Sequence, residues 1–503
     1  MGSDLAAQKT VFVFADLGVS ARYLLRTDVL EILKRAGVRI VAVVPNPDEP
    51  YMQEELGGPN VVFERHLVGL HDSAGSGLWS LATHLREFTL GSGASAATLQ
   101  ARYTHFRTQL SANRRVTARL IGVALQLLWR SRLLRRLLSW VETRLLMPSP
   151  HRELFERYQP DLVVAASLGF YLPDSVVLNE ARRHGVPSVG VVMAWDNPTS
   201  KGYRGADPDR AVAWSETMVE QLWRYQDYPR ERTFVGGVPR FDIYVREGEL
   251  IERERLFEAL GLDPDRKLIF LAARSATSYP YNLVVARTLA DAIERDELGA
   301  PAQLVVRPHP ASFHPGREVP VGGYEELAAE HPHVHVDMPQ VRSVQLARDV
   351  PVEDDVRLGS LLRHCDVLVN MFSTTTLEAF LLDRPVVNVS SEAHLGAPGA
   401  EQMDHDGVVE PRPFERDTHL ESMARHGAAR VARSMDELVE LTRTYIEHPE
   451  LDREARLAVA REECGPTDGH AGERVGRYLL EMLGVEPDGE PLGELDPVER
   501  ATA

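Results

Sequence analysis

Cysteine is scarce in this sequence, with two residues among 503, Cys365 and Cys464. Two thiols exclude a disulfide-stapled scaffold and a four-cysteine zinc site, and low cysteine use is typical of a reducing compartment. The sequence also lacks an apolar run of the roughly 18–20 residues that span a bilayer. Its first residues lack the basic-then-apolar pattern of a secretory signal. We therefore expect a cytoplasmic protein.

Basic residues are also fewer than acidic residues. Lys and Arg total 56 against 74 Asp and Glu, giving a net charge of −18. This argues against a nucleic-acid partner, because general nucleic-acid binding needs a basic surface. One stretch reverses the balance, since residues 101–145 contain ten Arg, no Lys and a single acid, Glu142. The remaining composition, with 44% hydrophobic and 26% charged residues, is ordinary for a globular protein.

Strand and helix patterns alternate twice along the chain. Apolar strands at 10–14 and 38–44 flank one predicted helix at 20–36, and a second series of strands begins at 267–273. Such alternation predicts parallel sheets, so the expected fold class is α/β with two Rossmann-like domains facing across a cleft. Ligands of such sheets bind beyond the carboxyl ends of the strands. The predicted layout is an N-terminal domain at 1–240 with a basic helical insertion at about 101–146, a linker at 241–266, a C-terminal domain at 267–483 and an acidic, disordered tail at 484–503.

The strongest local signal is a hydroxyl-rich turn between a predicted strand at 366–370 and a helix. Its members are Ser373, Thr374, Thr375 and Thr376. Backbone N–H groups at a helix N-terminus, with hydroxyls beside them, suit a diphosphate. Glu378 follows about one turn later and could accept hydrogen bonds from ribose hydroxyls. The alternative is a capping box formed by Thr375 and Glu378, which needs no ligand.

A second candidate segment is Arg307-Pro308-His309-Pro310, which follows a predicted strand at 303–306. Arginine offers phosphate a permanent fork of donors, and histidine can donate to a phosphate or a leaving group. The alternative is a proline-stiffened turn with incidental polar side chains. Arg274, after the strand at 267–273, is included among the predicted donor-binding residues.

A third candidate is the loop after a predicted strand at 188–193, which contains Asp196, Asn197, Ser200 and Lys201. Asp196 suits a general base for a hydroxyl nucleophile, and the alternative is an Asp that caps local amides in a turn. Asp16 follows the first strand and is a further candidate base. Residues 15–20 do not form the dinucleotide fingerprint G-x-G-x-x-G, and we expect no metal site.

Five segments, taken in order, resemble the GT-B glycosyltransferases, and among them the CDP-glycerol glycerophosphotransferase-like and surface-polysaccharide transferases. They are WDNPTSKG at 195–202, GVPRFD at 237–242, RPHP at 307–310, STTTLEA at 373–379 and DGHAGER at 468–474. The resemblance covers roughly residues 160–480. It implies two Rossmann-like domains, a donor nucleotide held mainly by the second, and a C-terminal helix that crosses back to the first.

The resemblance also implies roles for single residues. Arg307 and His309 would contact the donor phosphates, and Glu378 would face the ribose. The diphosphate would be lined by Ser373, Thr374 and Thr375. Acceptor or cleft positions would be Asn197, Ser200, Lys201, Gly237 and Arg240. Teichoic-acid polymerases tend to have Trp-His-Gly where this chain has Trp195-Asp196-Asn197, and this departure favours a sugar donor over glycerol phosphate.

The resulting prediction is a metal-independent glycosyltransferase that needs no cofactor beyond its nucleotide-sugar co-substrate. It would move the sugar to a hydroxyl acceptor, a surface-glycan or lipid-linked precursor. Three alternatives remain open: glycerophosphate transfer from CDP-glycerol, a UDP-sugar 2-epimerase, and a non-enzymatic glycan-binding GT-B domain.

The basic segment at 114–146 permits two interpretations. A basic amphipathic helix with Trp129 and Trp140 at its apolar edge could lie in the lipid headgroup layer, which would make the protein peripheral at the inner face of the membrane. The alternative is a helix packed on the first domain, with its arginines paired to acids. Leucines on more than one helical face favour this second interpretation.

Overall fold

The computed structural model describes residues 8–67, 78–89, 115–276, 278–313, 322–343, 346, 349–397, 415 and 417–486. The chain divides into two units, one comprising Met1–Arg240 with His470–Ala503 and the other Phe241–Gly469. The part of the predicted tail from 487 onward, and residues 101–114 of the predicted insertion, lie outside the described residues.

A parallel sheet forms the centre of the first unit. Its described strands are β1 (Thr10–Phe14), β2 (Arg39–Val44), β3 (Val61–Arg65), β4 (Leu162–Ala165), β5 (Ser188–Val191), β6 (Arg210–Ala213) and β7 (Thr233–Val235). They pair in the order β3-β2-β1-β4-β5-β6-β7, with Phe12 opposite Val41 on one side and Val163 on the other. The strand order runs outward from β1 and from β4 in opposite directions, so this pair is the topological switch point.

A second parallel sheet forms the centre of the other unit. Its described strands are β8 (Lys267–Ala272), β9 (Ala302–Arg307), β10 (Val334–Val336), β11 (Val367–Asn370), β12 (Val386–Val389) and β13 (Arg430–Ala432). Their order is β10-β9-β8-β11-β12-β13. The switch point therefore lies between β8 and β11. Strands covered on both faces are apolar almost throughout, as the fully buried β1 illustrates.

Helices cover both sheets. Those of the first unit are α1 (Gly18–Leu24), α2 (Asp28–Arg35), α3 (Pro50–Leu56), α4 (Leu78–Thr89), α5 (Arg115–Arg130), α6 (Arg132–Val141), α7 (Arg152–Tyr158), α8 (Leu172–His184), α9 (Asn197–Ser200) and α10 (Glu216–Gln226). Those of the second are α11 (Asp242–Val245), α12 (Arg253–Leu260), α13 (Asn282–Glu294), α14 (Gly322–Glu330), α15 (Val352–His364), α16 (Thr375–Leu381), α17 (Glu421–His426), α18 (Met435–Glu447) and α19 (Arg453–Cys464). The last helix, α20 (Ala471–Leu483), belongs to the first unit.

The prediction of a single helix at 20–36 is wrong. Thr27 interrupts it, because its hydroxyl accepts a hydrogen bond from the Val29 N–H at 3.4 Å and caps a new helix, α2. Threonine competes in this way for nearby backbone groups. Residues 241–266, expected as a linker, contain α11 and α12 of the second unit.

The C-terminal helix α20 packs against α2 in the first unit. A Cβ atom built on Gly476 would lie 2.8 Å from the Ile32 side chain, so glycine permits this close approach. Tyr478 stacks on Phe234 of β7, with ring centroids 4.2 Å apart. The basic stretch is helical over α5 and α6, followed by a π-helical turn at Glu142–Leu146. Of the helices in the described ranges, none combines the length and apolar character that crossing a bilayer requires.

Candidate functional site

Three neighbouring strands of the second sheet deliver candidate residues to one edge. Arg274 follows β8, Arg307 and His309 stand at the end of β9, and the hydroxyl-rich turn follows β11. Because the strands are parallel, their carboxyl ends share one edge of the sheet. The fold thus brings together the predicted donor residues of the second unit, at the place where ligands of such sheets bind.

A buried hydrogen-bond network fixes the hydroxyl-rich turn. Asn370 donates from its side chain to the Thr376 hydroxyl at 3.1 Å, and that hydroxyl lies 3.4 Å from Oδ1 of Asn388. The same Asn388 oxygen accepts the Phe372 N–H at 2.9 Å. Phe372 adopts a φ of 54°, a conformation costly for an aromatic residue. One of the four hydroxyls therefore has a structural role.

The rest of the turn has polar groups without partners. The Ser373 hydroxyl is buried, and it has no hydrogen-bond partner among the described residues. Within the same ranges, the backbone N–H groups of Thr374 and Thr375 donate to no acceptor. The N-cap of α16 is Thr374, whose side chain makes no capping bond. Buried polar groups normally have partners, so these groups could be completed by an anion.

The alternative of a capping box formed by Thr375 and Glu378 is wrong, because the N-cap of α16 is Thr374 and its side chain makes no capping bond. The Glu378 side chain is buried and accepts a hydrogen bond from the Tyr244 hydroxyl at 2.9 Å. The predicted contact of Glu378 with a ribose stays a prediction. The contact with Tyr244 gives the carboxylate a structural role, because it joins α11 to α16.

A cavity of about 480 Å³ lies beside the turn, within the usual size range of small-molecule sites. Its walls come from the turn after β11, the strands β12 and β13 and the helix α17. The lining includes Phe372, Asn388, Ser390, Glu392, Glu415, Met423 and Arg433. The two carboxylates can accept hydrogen bonds from hydroxyl or N–H groups but would repel phosphate. The cavity therefore offers carboxylate acceptors, together with the Arg433 guanidinium, to the polar groups of a small molecule.

Arg274 and His309 have defined orientations at this edge. Arg274 donates from Nη1 to the Met371 carbonyl at 2.5 Å and so joins the end of β8 to the hydroxyl-rich turn. His309 accepts the Ala311 N–H on its Nδ1 atom at 3.0 Å. A nitrogen that accepts carries no proton, so the neutral imidazole has its proton on Nε2. His309 is thus prepared as a donor through Nε2.

Arg307 occupies a different environment. Its guanidinium is buried and bonded to the carboxylates of Asp337 and Asp354, the latter at 2.5 Å from Nη2. Asp337 follows β10 and Asp354 lies in the first turn of α15. These contacts make Arg307 a clamp between β9, β10 and α15. Its predicted contact with donor phosphates stays a prediction.

At the switch point of the first sheet, two carboxyl groups interact electrostatically. Asp16 follows β1 and accepts a hydrogen bond from Ser20 at 3.4 Å. Asp174 follows β4 in the first turn of α8, is buried, and accepts a hydrogen bond from Ser167. Burial raises the pKa of Asp16 to about 6. Burial and the like charge of Asp16 raise the pKa of Asp174 well above its usual range.

The loop after β5 places Asp196 on the same edge of the first sheet. Its carboxylate accepts a hydrogen bond from the Ser200 hydroxyl and lies 3.7 Å from the Lys201 ammonium. Asn197 is fully buried, and neither polar atom of its side chain has a partner among the described residues. The assignment of these four residues to base and acceptor functions stays a prediction.

The glycine-rich segment after β7 has structural contacts. Gly237, with a φ of 82°, accepts the Tyr23 hydroxyl on its carbonyl at 3.2 Å. The Gly236 carbonyl accepts a hydrogen bond from Nη1 of Arg474, in α20, at 3.1 Å. Arg240 lies in the short 3-10 helix Pro239–Phe241. The acceptor functions predicted for Gly237 and Arg240 are untested by these contacts.

Sequence reasoning missed Asp174 and Ser167. Asp174 stands beside a proline at the start of a helix, where an acidic residue ordinarily interacts with the helix dipole. The sequence signal that could have found Ser167 is its position just after β4, the strand that lies beside β1. Across the described ranges, no group of three or more His, Cys, Asp and Glu side chains is placed to hold a metal ion.

Comparison with known proteins identifies the fold. No protein-family model matches the sequence, and no curated protein matches it. Among solved structures, UDP-GlcNAc 2-epimerase from Neisseria meningitidis bound to UDP-GlcNAc matches with a TM-score of 0.54 and 12% identity over 94% of this chain and 100% of that one. S. aureus MnaA with UDP matches with a TM-score of 0.54 and 12% identity over 96% and 100%.

A further UDP-N-acetylglucosamine 2-epimerase matches with a TM-score of 0.51 and 14% identity over 97% of this chain and 99% of the other. At such identities the similarity concerns the fold. Together with the two parallel sheets, it confirms the predicted fold class, and the chain has the α/β GT-B fold with two Rossmann-like units.

Proposed function

We propose that the second unit binds the nucleotide part of a nucleotide-sugar. The observation that carries this proposal is the cavity of about 480 Å³ directly beside a turn with unpaired donors. The nucleoside would occupy the cavity near Glu392 and Glu415, and the diphosphate would accept hydrogen bonds from Thr374 and Thr375. Fixed donors of this kind stabilise charge without reorganisation. The bound ligands named for two structures of the same fold, UDP-GlcNAc and UDP, support this ligand class.

The reaction we propose is glycosyl transfer to a hydroxyl acceptor, a surface-glycan or lipid-linked precursor. The acceptor oxygen bonds to the anomeric carbon of the sugar while the bond from that carbon to the diphosphate oxygen breaks. A base takes the proton of the acceptor hydroxyl, and the nucleoside diphosphate leaves. Asp16 is ionised above its pKa of about 6, which suits a base at neutral pH. Asp196 is the other candidate.

The leaving diphosphate would gain negative charge as the bond to the sugar breaks. His309 can donate to it from Nε2, because its Nδ1 is occupied by the Ala311 N–H. Arg274, held by the Met371 carbonyl, adds a permanent positive charge at the same edge of the sheet. General acid–base groups typically contribute about 10²–10⁴ in rate.

A second candidate function is 2-epimerisation of a UDP-sugar. It is favoured by the names of the structures that share this fold over nearly the whole chain. An epimerase must remove and return a proton at C2 of the sugar. Two electrostatically interacting carboxyl groups such as Asp16 and Asp174 are compatible with that task as well.

One experiment separates the two reactions. The protein is first screened by thermal shift against UDP, GDP, CDP, CMP and dTDP, since a bound ligand raises the apparent stability. The corresponding nucleotide-sugars are then incubated with the protein in D₂O without any acceptor. A glycosyltransferase leaves the sugar C2 hydrogen in place, whereas a 2-epimerase exchanges it for deuterium. Stabilisation by CMP, with release of CMP from CDP-glycerol once an acceptor is added, would instead identify glycerophosphate transfer. Absence of any nucleotide effect would contradict the proposal.

A further inference from the structure

Two helices of the first unit, α5 and α6, expose an apolar surface that the candidate site does not use. More than half of the residue surface is exposed at seven large apolar residues of these helices, and at Leu145 in the π-helical turn that follows α6. The seven are Val116, Leu120, Val123, Leu127, Leu133, Leu137 and Trp140. Apolar surface gathered in one place marks an interaction site, because soluble proteins rarely leave it uncovered. We call this surface, with the neighbouring Arg119, Arg130, Arg136 and Arg144, the arginine–leucine face.

The exposed residues form a continuous stripe on each helix. At about 100° per residue, the four exposed residues of α5 fall within about 60° of one another. Leu125 projects on the opposite side of α5 and is fully buried. On α6, Leu133, Leu137 and Trp140 share one side while Arg135 is buried on the other. Each helix therefore packs on the domain with one side, through Leu125 in α5 and Arg135 in α6, and exposes an apolar stripe on the other side.

Ion pairs hold this face rigidly on the first unit. Arg135 donates from Nε and Nη2 to the Asp227 carboxylate at 2.9 and 3.0 Å, and Tyr203 donates to the same carboxylate at 3.0 Å. Arg132 lies 3.0 Å from it. The packed-helix interpretation of the basic segment therefore accounts for Arg132 and Arg135. It also accounts for Arg136, which donates from Nη2 to the Asp227 carbonyl at 3.2 Å, and it leaves Arg119, Arg130 and Arg144 unexplained.

The exposed side carries positive charge without acids of its own. Arg119, Arg130, Arg136 and Arg144 are exposed. The single acid among residues 115–146, Glu142, is fully buried and bonded to Arg86 at 2.8 Å. This basic and apolar combination stands out on a chain with a net charge of −18. An occupant must therefore offer both negative charge and apolar surface.

We infer that the arginine–leucine face docks this protein on an anionic lipid surface. A bilayer supplies anionic headgroups to the arginines and hydrocarbon to the leucines, and Trp140 suits the boundary between them. A second copy of the chain fits less well, because two such faces would bring like charges together. The inference goes beyond the proposed function, since it requires neither donor nor acceptor.

The test uses the full-length protein and co-sedimentation with vesicles of phosphatidylcholine, alone or with phosphatidylglycerol. The apolar variant is Leu133→Gln with Leu137→Gln, and the charge variant is Arg119→Gln, Arg130→Gln and Arg144→Gln. Arg132 and Arg135 are left unchanged because they hold the helix in place. Matched controls are Leu395→Gln for exposed leucine, and Arg35→Gln, Arg255→Gln and Arg461→Gln for the same loss of exposed charge.

We expect wild type and both controls to sediment with anionic vesicles, less so as salt rises, and to ignore phosphatidylcholine alone. The charge variant should bind on the order of a hundredfold more weakly, and the apolar variant should remain in the supernatant. Protein that stays in the supernatant with anionic vesicles at low salt would overturn the inference. A concentration-dependent dimer of the wild type that is absent in the apolar variant would also overturn the inference, because it would assign the face to a second copy of the chain. Nucleotide binding, measured on the same samples, reports separately on the proposed function.

Discussion

At the residue scale, burial changes what ordinary carboxyl groups do. A folded-state pKa of Asp16 raised to about 6 means that the native state binds this proton more tightly than the unfolded state. The ionised carboxylate therefore destabilises the fold at neutral pH. The penalty begins to shrink as the pH falls below about 6 and disappears only below the ordinary carboxyl pKa of 3.8.

Asp16→Asn should accordingly increase the free energy of unfolding at pH 7 by about 1–3 kcal/mol. The gain should be much smaller at pH 4, where the wild-type carboxyl is protonated in the native state and largely protonated in the unfolded state as well. Urea unfolding at both pH values measures it, with Asp48→Asn as a control because Asp48 is exposed in a surface ion pair. An equal gain at the two pH values would contradict the assignment. Turnover, by contrast, should fall in Asp16→Asn if this residue is the base.

Arg307 leads to a prediction about stability. Removing a buried charge leaves its partners unpaired, so Arg307→Ala should lower the free energy of unfolding by about 3–5 kcal/mol. Arg287→Ala, which breaks an exposed pair with Glu330, should cost less than about 1 kcal/mol. Denaturant unfolding of the two variants provides the comparison. Similar small losses would show that Asp337 and Asp354 do not depend on Arg307.

At the element scale, the turn between β11 and α16 contains one hydroxyl that is available to a ligand and, three residues later, one that has a structural role. Ser373 has an unpartnered hydroxyl, whereas the Thr376 hydroxyl lies between Asn370 and Asn388. Ser373→Ala should weaken nucleotide binding by about 0.5–1.5 kcal/mol and leave stability unchanged. Thr376→Val should instead lower stability by about 1–3 kcal/mol. Calorimetric titration and urea unfolding of both variants measure these effects, and a stability loss in Ser373→Ala would contradict the division.

The packing of α20 on α2 gives a second prediction at this scale. Alanine normally stabilises a helix relative to glycine by about 1 kcal/mol. At Gly476 the new Cβ atom would lie 2.8 Å from Ile32, so Gly476→Ala should destabilise the protein by about 1–3 kcal/mol. Adding Ile32→Val should recover part of the loss, and a double-mutant cycle measures the coupling. An increase in thermal stability on Gly476→Ala alone would show that the two helices are not in close contact.

Sequence reasoning located elements best where a strand is wholly buried. The strand Thr10–Phe14 was predicted at its observed limits. A strand that is covered on both faces of a parallel sheet has an unbroken apolar sequence, which is easy to recognise. The edge strand β3 is half-exposed, and β6 and β13 have four and three residues. The sequences of these three strands are too short or too mixed to show a hydrophobic periodicity, so sequence reasoning missed them. The break at Thr27 depends on one side-chain hydrogen bond, which the apolar pattern does not record.

At the scale of the whole molecule, the alternation of strands and helices predicted two Rossmann-like units, and the resemblance of five ordered segments to glycosyltransferases indicated the GT-B arrangement of those units. The candidate donor residues were found because each follows a strand, and strand order places them at one edge. Side-chain partners were beyond reach of the sequence. The clamp on Arg307, the Tyr244 contact of Glu378 and the pairing of Asp16 with Asp174 join residues distant in the chain. The same holds for the cavity beside the turn, which depends on how α17 packs.

The central claim is that a nucleoside diphosphate binds at the carboxyl edge of the second sheet. Hydrogen–deuterium exchange tests it directly, because the N–H groups of Thr374 and Thr375 have no acceptor in the described part of the free protein. With saturating nucleotide, exchange should slow by at least about tenfold at 373–376 and slow also in the cavity walls at 388–392 and 427–433, since new hydrogen bonds protect amides. Unchanged exchange in these segments while nucleotide is bound, or protection confined to the first unit, would contradict the account.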